Sequence, residues 1–517
     1  MTETPESARP SADLAALARG GRINFMGFVL RLLARLPFLF IAGRLYGAEM
    51  LGRFAYAVLI VEFGAQLATL GLKRGLAQQL AHTDKPHACV VWDALLVAAI
   101  GSAAVIAVLA TFPQAMFPNS KINGLEWALP VTAFALAWSD ISLAALAYRH
   151  DVGATVRARA IVEPWTISIA AAALYFVSPR DGLIIAYALS MIGALIASII
   201  PFLKSYGLPH DWSPDPATLW RMARRNLPVA AADAVEWGSR RVDIAVLGLF
   251  FSPAVVGIYY VAQNVASLPS KLKTSFDPIL GPVISRNIAA GDKVAVARQV
   301  RQVGFWVIAA QGGVALALGI PGEAVMGLVG ANFVAGTAAL GFLLGAEVVA
   351  ATAAVSEAAL IYTARHRNMM ISLAMLALEV ALAIGLILLI RAVHPVANPK
   401  DDMIAATAPA IALTLSLGFA AVAKALLLKR VLGRPVSGWR WPLIWAAAAA
   451  VIVGQLVVRL PEWAELAFGI PAILAAFGAV LWTKGFGPED RELFRMKKSD
   501  IEELELPPAG TGGGAPD

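Results

Sequence analysis

Residues 43–57 read GRLYGAEMLGRFAYA, and residues 248–262 read GLFFSPAVVGIYYVA. The two stretches align without a gap. They match at both glycines and at the aromatic residue two positions after the second glycine. Each copy joins two apolar segments, so we interpret the repeat as the trace of an internal duplication. Two helical bundles of the same orientation are a recurrent architecture of membrane transporters, with the transported molecule held between the halves.

The composition outside the repeat is that of a polytopic membrane protein. Of the 517 residues, 59% are hydrophobic and only 15% are charged, and the mean hydropathy is +0.70. Soluble chains are closer to half apolar and a quarter charged. The single cysteine, Cys89, excludes an internal disulfide and a thiolate metal cluster. We expect no cofactor, no metal ion and no nucleic-acid partner, and we attribute the net charge of +7 to loop arginines.

The apolar segments predict an all-α protein with about 14 transmembrane helices. The predicted spans are about 24–44, 54–72, 89–111, 126–147, 161–178, 182–203, 227–251, 257–281, 302–321, 336–362, 368–390, 404–426, 441–458 and 464–483. We divide the chain into a disordered cytoplasmic N-terminus (1–22), an N-terminal bundle (23–212), a C-terminal bundle (213–430), an additional helix pair (431–484) and a cytoplasmic tail (485–517). The two bundles are pseudo-repeats of six helices each.

The distribution of lysine and arginine predicts the orientation. Basic clusters recur on one side of the predicted membrane, for example Lys73 with Arg74, Arg157 with Arg159, and Arg365 with Arg367. Basic loops remain in the cytoplasm. Both termini of this multi-pass protein are therefore predicted to be cytoplasmic, and the alternation of basic and less basic loops supports the number of spans.

A row of ionisable residues lies inside the predicted seventh span. Asp233, Glu236, Arg240 and Asp243 are three, four and three positions apart, so a continuous helix would place them on one face. Each would be costly against lipid, so the row predicts a hydrated cavity or partner charges. We predict that Arg240 neutralises both Glu236 and Asp243, that Asp233 exchanges a proton or Na⁺, and that Arg241 points about 100° away. A structural salt-bridge ladder is the alternative.

Other intramembrane charges extend this prediction. Arg31 and Arg35 are four residues apart on the first span, where two planar guanidinium groups could bind a diphosphate or anchor the helix at the interface. Lys271 and Lys273 on the eighth span either continue a cationic path or mark a helix end. Glu62 on the second span is the most probable additional ion-coupling group. The remaining single acids are interpreted as hydrogen-bonded packing residues: Asp93, Asp140, Glu347, Glu357 and Glu379.

The repeated turns also carry a family resemblance. The segment GRLYGAEMLGRFAYAVLIVEFGAQLATLGLKRGL (43–76) resembles the N-terminal signature of polysaccharide-biosynthesis transporters in the multidrug/oligosaccharidyl-lipid/polysaccharide exporter superfamily. The segment RRVDIAVLGLFFSPAVVGIYYVAQNVASLPSKL (240–272) is similar to the region of the seventh and eighth spans in the same family. In topology the resemblance covers about residues 20–484. It implies a fold like that of the multidrug (MATE) exporters.

The resemblance further implies a Wzx-type flippase of the bacterial inner membrane. Such a protein moves an undecaprenyl-diphosphate-linked oligosaccharide to the periplasmic leaflet by alternating access coupled to H⁺ or Na⁺, and polysaccharide assembly proteins are possible partners. The cargo residues that it implies are Arg31, Arg35, Arg240 and Arg241, with Asp243 beside them.

Three other functions compete with the flippase. A lipid II flippase or a multidrug/cation antiporter belongs to the same superfamily. A membrane polysaccharide polymerase is disfavoured because the outer loops are short. The sequence also lacks a Gly-x-x-x-x-Gly-Lys-Ser/Thr phosphate-binding loop, so the chain does not hydrolyse ATP through such a loop. A non-transporting scaffold would leave the recurring intramembrane charges unexplained.

Overall fold

The computed structural model describes residues 36–210, 212–270, 284, 287–288, 290–393, 399–487 and 490. These residues form helices and connecting turns, with no β-strand among them. The first half contains α1 (36–46), α2 (Gly47–Ala68), a short α3 (Leu72–Ala81), α4 (His87–Thr111), α5 (Thr132–Tyr148), α6 (152–175) and α7 (Gly182–Tyr206). The second half contains α8 (Pro216–Gly238), α9 (Val242–Phe250), α10 (Pro253–Ala266), α11 (Lys293–Gly319), α12 (Thr337–Thr363), α13 (Arg365–Val393) and α14 (Ala408–Leu432). Two more helices follow, α15 (Pro442–Val457) and α16 (Glu462–Gly485).

The prediction of an all-helical, multi-pass membrane protein is confirmed. Each predicted span has a helical counterpart, and nine stretches of the described residues are long and apolar enough to cross a membrane. The N-terminal tail and the start of the first span lie outside the described residues. The boundaries of the two bundles and the duplication itself remain predictions.

The prediction of a continuous seventh span is wrong, because two helices, α8 and α9, occupy this region. The chain leaves the helix at Ser239 and Arg240 and re-enters it after Arg241, whose φ and ψ are −143° and 0°. Gly238, a poor helix former, ends α8. The N–H groups at the break find backbone acceptors within the turn, as Arg240 N does with Trp237 O and Arg241 N with Gly238 O. The exposed side chain of Arg240 indicates a polar environment at this position.

The two copies of the repeated sequence pack directly against each other. A Cβ atom on Gly52 of α2 would lie 1.8 Å from the Pro253 carbonyl oxygen, and one on Gly257 of α10 would lie 2.0 Å from the Ala48 oxygen. The corresponding glycines of the two copies therefore allow α2 and α10 to cross in backbone contact, as small residues do between membrane helices. This crossing lies at the end that the sequence predicts to be periplasmic, which we name the outer end.

The turn before each crossing is held by the opposite half. Arg44 Nε donates a 3.0 Å hydrogen bond to the Leu328 carbonyl oxygen of the second half. Asn119 Nδ2, from the first half, donates to the carbonyl oxygens of Gly248 and Phe251 at 2.7 and 2.9 Å. Each half thus fixes the repeated turn of the other half, which closes the outer end with reciprocal contacts.

Helix α2 continues along the second half, away from the outer end and toward the opposite end, which we name the inner end. After α2 the chain turns at Leu70 and Gly71, which both have positive φ. A Cβ atom on Gly71 would lie 2.6 Å from the Ala230 nitrogen of α8, so only glycine fits both the conformation and the contact. We call the contact of α2 and α3 with α8–α10 the inter-half seam.

The apolar core forms three clusters around this seam. The largest joins both halves at the outer end and includes Leu51, Tyr259 and Phe333. A second fills the inner part of the first half around Phe202. The third packs α15 and α16 against α11 through Phe477. The charged residues described next lie along the seam, between these clusters.

Candidate functional site

Arg74 connects the two halves at the inner end of the seam. Its Nη2 donates a hydrogen bond of 2.8 Å to Glu236 Oε2, and its Nη1 lies 3.1 Å from Asp233 Oδ1. The contact with Asp233 is an ion pair without aligned hydrogen-bond geometry at that oxygen. Asp233 is buried, whereas the side chains of Arg74 and Glu236 are 57% and 52% exposed. One arginine of the first half therefore neutralises two acids of the second half.

A second ion pair crosses the seam at the helix break. Arg241 Nη1 lies 2.5 Å from Glu62 Oε2 on α2. The Arg241 guanidinium also lies over the Trp237 ring, 5.0 Å from its centroid, and that ring stacks on Phe63 of the first half. Arg240 beside it is exposed and makes no ion pair with a described residue.

The predicted pairing of Arg240 with Glu236 and Asp243 is therefore wrong. Asp233 and Glu236 pair with Arg74 of the first half, and Asp243 is hydrogen-bonded to Tyr259 and Gln263. The break at 239–241 interrupts the helical spacing that the prediction assumed. The arginine that pairs with two acids is Arg74, and one of its two acids, Asp233, also differs from the predicted pair. Of the two environments that the sequence allowed for this row, a hydrated cavity or partner charges, the structure shows partner charges from the first half at Asp233, Glu236 and Arg241.

In the first half, the half-buried Arg159 is enclosed by one acid of α5 and one acid of its own helix, α6. Arg159 is hydrogen-bonded to Asp140 of α5 and donates to Glu163 at 2.8 Å, while Lys73 lies 3.0 Å from Asp140. The hydroxyl of Tyr187 lies within electrostatic range of this cluster and of the Arg241–Glu62 pair. This hydroxyl is buried and has no hydrogen-bond partner among the described residues.

In the second half, two buried acids lie within electrostatic range of each other. Asp243 on α9 accepts hydrogen bonds from the Tyr259 hydroxyl at 2.9 Å and from Gln263 Nε2 at 2.8 and 2.9 Å. Glu379 on α13 is 1% exposed, packs near the Asp243 helix, and has no hydrogen-bond partner among the described residues at either carboxyl oxygen. A buried carboxylate without donors must be protonated or must bind a cation.

Several predicted site residues cannot be placed. Arg31, Arg35, Lys271 and Lys273 lie outside the described residues. The described residues form a cavity of about 160 Å³ away from the charged site, lined by Thr132 and by apolar side chains of α7 and of the turn before α5. That cavity contributes nothing to the chemistry of the seam.

The structure also adds residues that the sequence analysis did not select as a site. Lys73, Arg74 and Arg159 were used only as markers of orientation, although their clusters lie at the ends of spans. Asp140 was interpreted as a packing residue, and it proves to be ion-paired. One available signal was the i,i+4 spacing of Arg159 and Glu163, which is typical of an intrahelical ion pair. Arg74 had no such signal, because its partners come from a distant part of the chain.

Comparison with known proteins agrees with this architecture. The polysaccharide biosynthesis protein family matches residues 41–308. None of the curated protein sequences matches the chain.

Solved structures with the same fold are transporters. The lipid II flippase MurJ in an inward closed conformation has 11% sequence identity and a TM-score of 0.66, with 90% of this chain and 98% of MurJ covered. An inward-facing multidrug resistance MATE family transporter of the MOP superfamily has 14% identity and a TM-score of 0.57, covering 82% and 94%. A MOP superfamily transporter from Pyrococcus furiosus has 15% identity and a TM-score of 0.52, covering 82% and 98%. At these identities the likeness concerns the fold.

Proposed function

Because the chain belongs to the polysaccharide biosynthesis protein family, we propose that it flips a lipid-linked oligosaccharide across a bacterial inner membrane. The cargo is a repeat unit on undecaprenyl diphosphate, for the synthesis of exopolysaccharide, capsule or O-antigen. Both termini lie in the cytoplasm in this proposal, and assembly proteins of the polysaccharide pathway receive the product. The transporter fold supports movement of a molecule in preference to catalysis.

The observation that carries the proposal is the exposed guanidinium of Arg240. It lies where the seventh span is broken, between the halves, and no described acid neutralises it. Arginine presents a planar set of donors that matches phosphate oxygens, so this position suits a diphosphate. In this proposal Arg241 becomes available when its pair with Glu62 opens. Arg31, Arg35, Lys271 and Lys273 complete the cationic path.

Ion coupling is assigned to the second half. Asp243 and Glu379 are buried acids that would repel each other when both are ionised, and the oxygens of Glu379 lack donors among the described residues. Binding of H⁺ or Na⁺ would relieve this repulsion, and release would restore it. Asp233, Glu236 and Glu62 change partners when the seam opens, which links the position of the halves to the charge of the cavity.

The cellular test is depletion of the protein. Cells without it should accumulate undecaprenyl-diphosphate-linked repeat units on the cytoplasmic leaflet and lose surface polysaccharide. Normal export of every surface glycan would refute the proposal. Hypersensitivity to cationic dyes with normal glycan export would identify a drug antiporter instead.

The test at residue level uses Arg240→Ala. We expect normal expression and melting temperature but strongly reduced flipping in proteoliposomes, because an exposed side chain contributes little to stability. Arg180→Ala, an exposed arginine outside the site, is the matched control and should flip at the wild-type rate. Wild-type flux in Arg240→Ala would remove this residue from the cargo path.

A second candidate is a flippase for lipid II, which the fold of MurJ favours. The two functions differ in the carried glycan. Depletion should therefore be followed by measuring both lipid pools, and accumulation of the peptidoglycan precursor alone would select the second candidate.

A further inference from the structure

The contacts of Arg74 with Asp233 and Glu236 resemble those of an arginine that has bound an anion. The guanidinium uses two different nitrogens to hold one oxygen from each of two carboxylates, at 3.1 and 2.8 Å. A single phosphate group presents two oxygens to an arginine in the same forked arrangement. Asp233 and Glu236 belong to the opposite half, so their contact with Arg74 exists only while the inner end is closed.

Exposure shows which part of this contact can exchange. Arg74 and Glu236 are both more than half exposed, whereas Asp233 is buried and also lies 3.5 Å from Gln66 Nε2. An anion arriving from the inner side can therefore displace Glu236 first. An ion pair between exposed groups contributes little to stability, so a diphosphate with more charge and more acceptors competes effectively.

The surroundings favour an incoming anion. Arg221, Arg224 and Arg225 on the inner part of α8 are exposed, and such a cluster raises the local concentration of anions at the inner end. Lys73, the neighbour of Arg74, is held by Asp140 at 3.0 Å, so it orients the start of α3 without filling the Arg74 site.

We propose that Arg74 is the first diphosphate-binding residue of the transport path, and that Asp233 and Glu236 occupy it as internal substitutes for the cargo. The diphosphate displaces the two carboxylates, which separates α3 from α8 and opens the inner end. When the cargo moves on to Arg240, the carboxylates return to Arg74 and close the inner end behind it. This inference rests on the proposed function, because it requires a diphosphate cargo.

The test measures binding of undecaprenyl diphosphate to the full-length protein in nanodiscs. Arg74→Gln should weaken binding about 10- to 100-fold, the equivalent of lost hydrogen bonds to a charged group. The double variant Asp233→Asn with Glu236→Gln should bind more tightly than the wild type, because the competitor is gone. Arg367→Gln, an exposed arginine outside the proposed anion path, is the matched control for general loss of positive charge and should bind within about threefold of the wild type.

A purely structural role would give a different pattern. Arg74→Gln leaves buried Asp233 without its cation, so Arg74→Gln combined with Asp233→Asn keeps the test valid if the single variant is unstable. Unchanged affinity in that pair, or weakened binding after removal of both carboxylates, would overturn the inference. If the wild type itself does not bind undecaprenyl diphosphate, the proposed function fails, which is a separate result.

Inorganic pyrophosphate identifies the source of the anion. Competition by pyrophosphate that Arg74→Gln abolishes means that Arg74 recognises the diphosphate itself. Loss of lipid binding in Arg74→Gln without competition in the wild type means that the membrane must present the group. Both outcomes support the assignment, and competition that persists unchanged in Arg74→Gln contradicts it.

Discussion

One pair of acids in the first half and one in the second half are held in different ways. In the first half, Asp140 and Glu163 enclose the guanidinium of Arg159. In the second half, Asp243 and Glu379 lie within electrostatic range of each other, and no described cationic side chain pairs with them. The acids of the first half are thus neutralised by an arginine side chain, whereas the Glu379 oxygens of the second half have no hydrogen-bond partner among the described residues. Because an ion gradient acts only through an ion that can exchange, the coupling that we propose lies in the second half.

The largest expected effect comes from removing the acids of the second half. Asp243→Asn and Glu379→Gln should each reduce gradient-driven flipping about 100-fold, which is near the upper end of the effects that coupled sites usually have on each other. Undecaprenyl diphosphate should still bind to both variants. Flipping in proteoliposomes with and without H⁺ and Na⁺ gradients measures this effect. Glu323→Gln, an exposed acid in the same half, is the control and should not change the dependence. If flipping by both variants still depended fully on the gradient, Asp243 and Glu379 would not be the coupling residues.

Removing the Arg159 guanidinium, the cation that neutralises the acids of the first half, should mainly lower the stability of the protein. Arg159→Met leaves two acids without their shared partner and should lower the free energy of unfolding by about 3 kcal/mol. Arg157→Met, two residues away with an exposed side chain, should change it by less than about 0.5 kcal/mol. Thermal unfolding in detergent compares the two variants.

Arg159→Met also tests whether the acids of the first half can bind an ion. If Arg159 stands in place of an exchangeable ion, added Na⁺ should raise the melting temperature of Arg159→Met more than that of the wild type. An identical response to Na⁺ in both proteins would show that the acids of the first half form no ion site.

The sequence predicted the fold more completely than the site. Apolar segments mark helices by local composition, so the spans were found, and matched glycines marked the turns that now lie at the crossing of α2 and α10. Ion pairs depend on the packing of distant segments. Arg74 and Asp233 are 159 positions apart, and no local spacing connects them. The one local rule applied to the seventh span failed because Gly238 and the following residues break the helix.

The outer crossing tests whether the halves are equivalent where their sequences match. Gly52→Ala and Gly257→Ala each place a methyl group about 2 Å from a carbonyl oxygen of the opposite half. Both should force the helices apart and cost about 2 kcal/mol. Gly345→Ala, where the Cβ meets no neighbour, should be neutral or stabilising. Very different effects of the two crossing variants on thermal unfolding would argue against equivalence.

The smallest expected effect concerns Asp490, a buried acid that, unlike Glu379, accepts hydrogen bonds from described residues. Asp490, after α16, accepts hydrogen bonds from Arg440 at 2.8 Å, from Trp306 Nε1 at 2.9 Å and from the Gly487 N–H at 2.9 Å. Burial acts to raise the pKa of Asp490, but these hydrogen bonds and the Arg440 charge outweigh it and hold the pKa below its ordinary value.

A lowered folded-state pKa means that the ionised form of Asp490 stabilises the protein above the unfolded-state pKa of about 3.9. This contribution disappears as the pH falls through the folded-state pKa. Asp490→Asn should therefore cost about 1 kcal/mol at pH 7 and almost nothing at the acid end of the titration. Glu379→Gln removes no hydrogen bond from a described donor, so it should not lower stability at pH 7. Unfolding of both variants as a function of pH compares a carboxylate held by donors with one left available to an ion, and equal losses of stability at pH 7 would contradict that distinction.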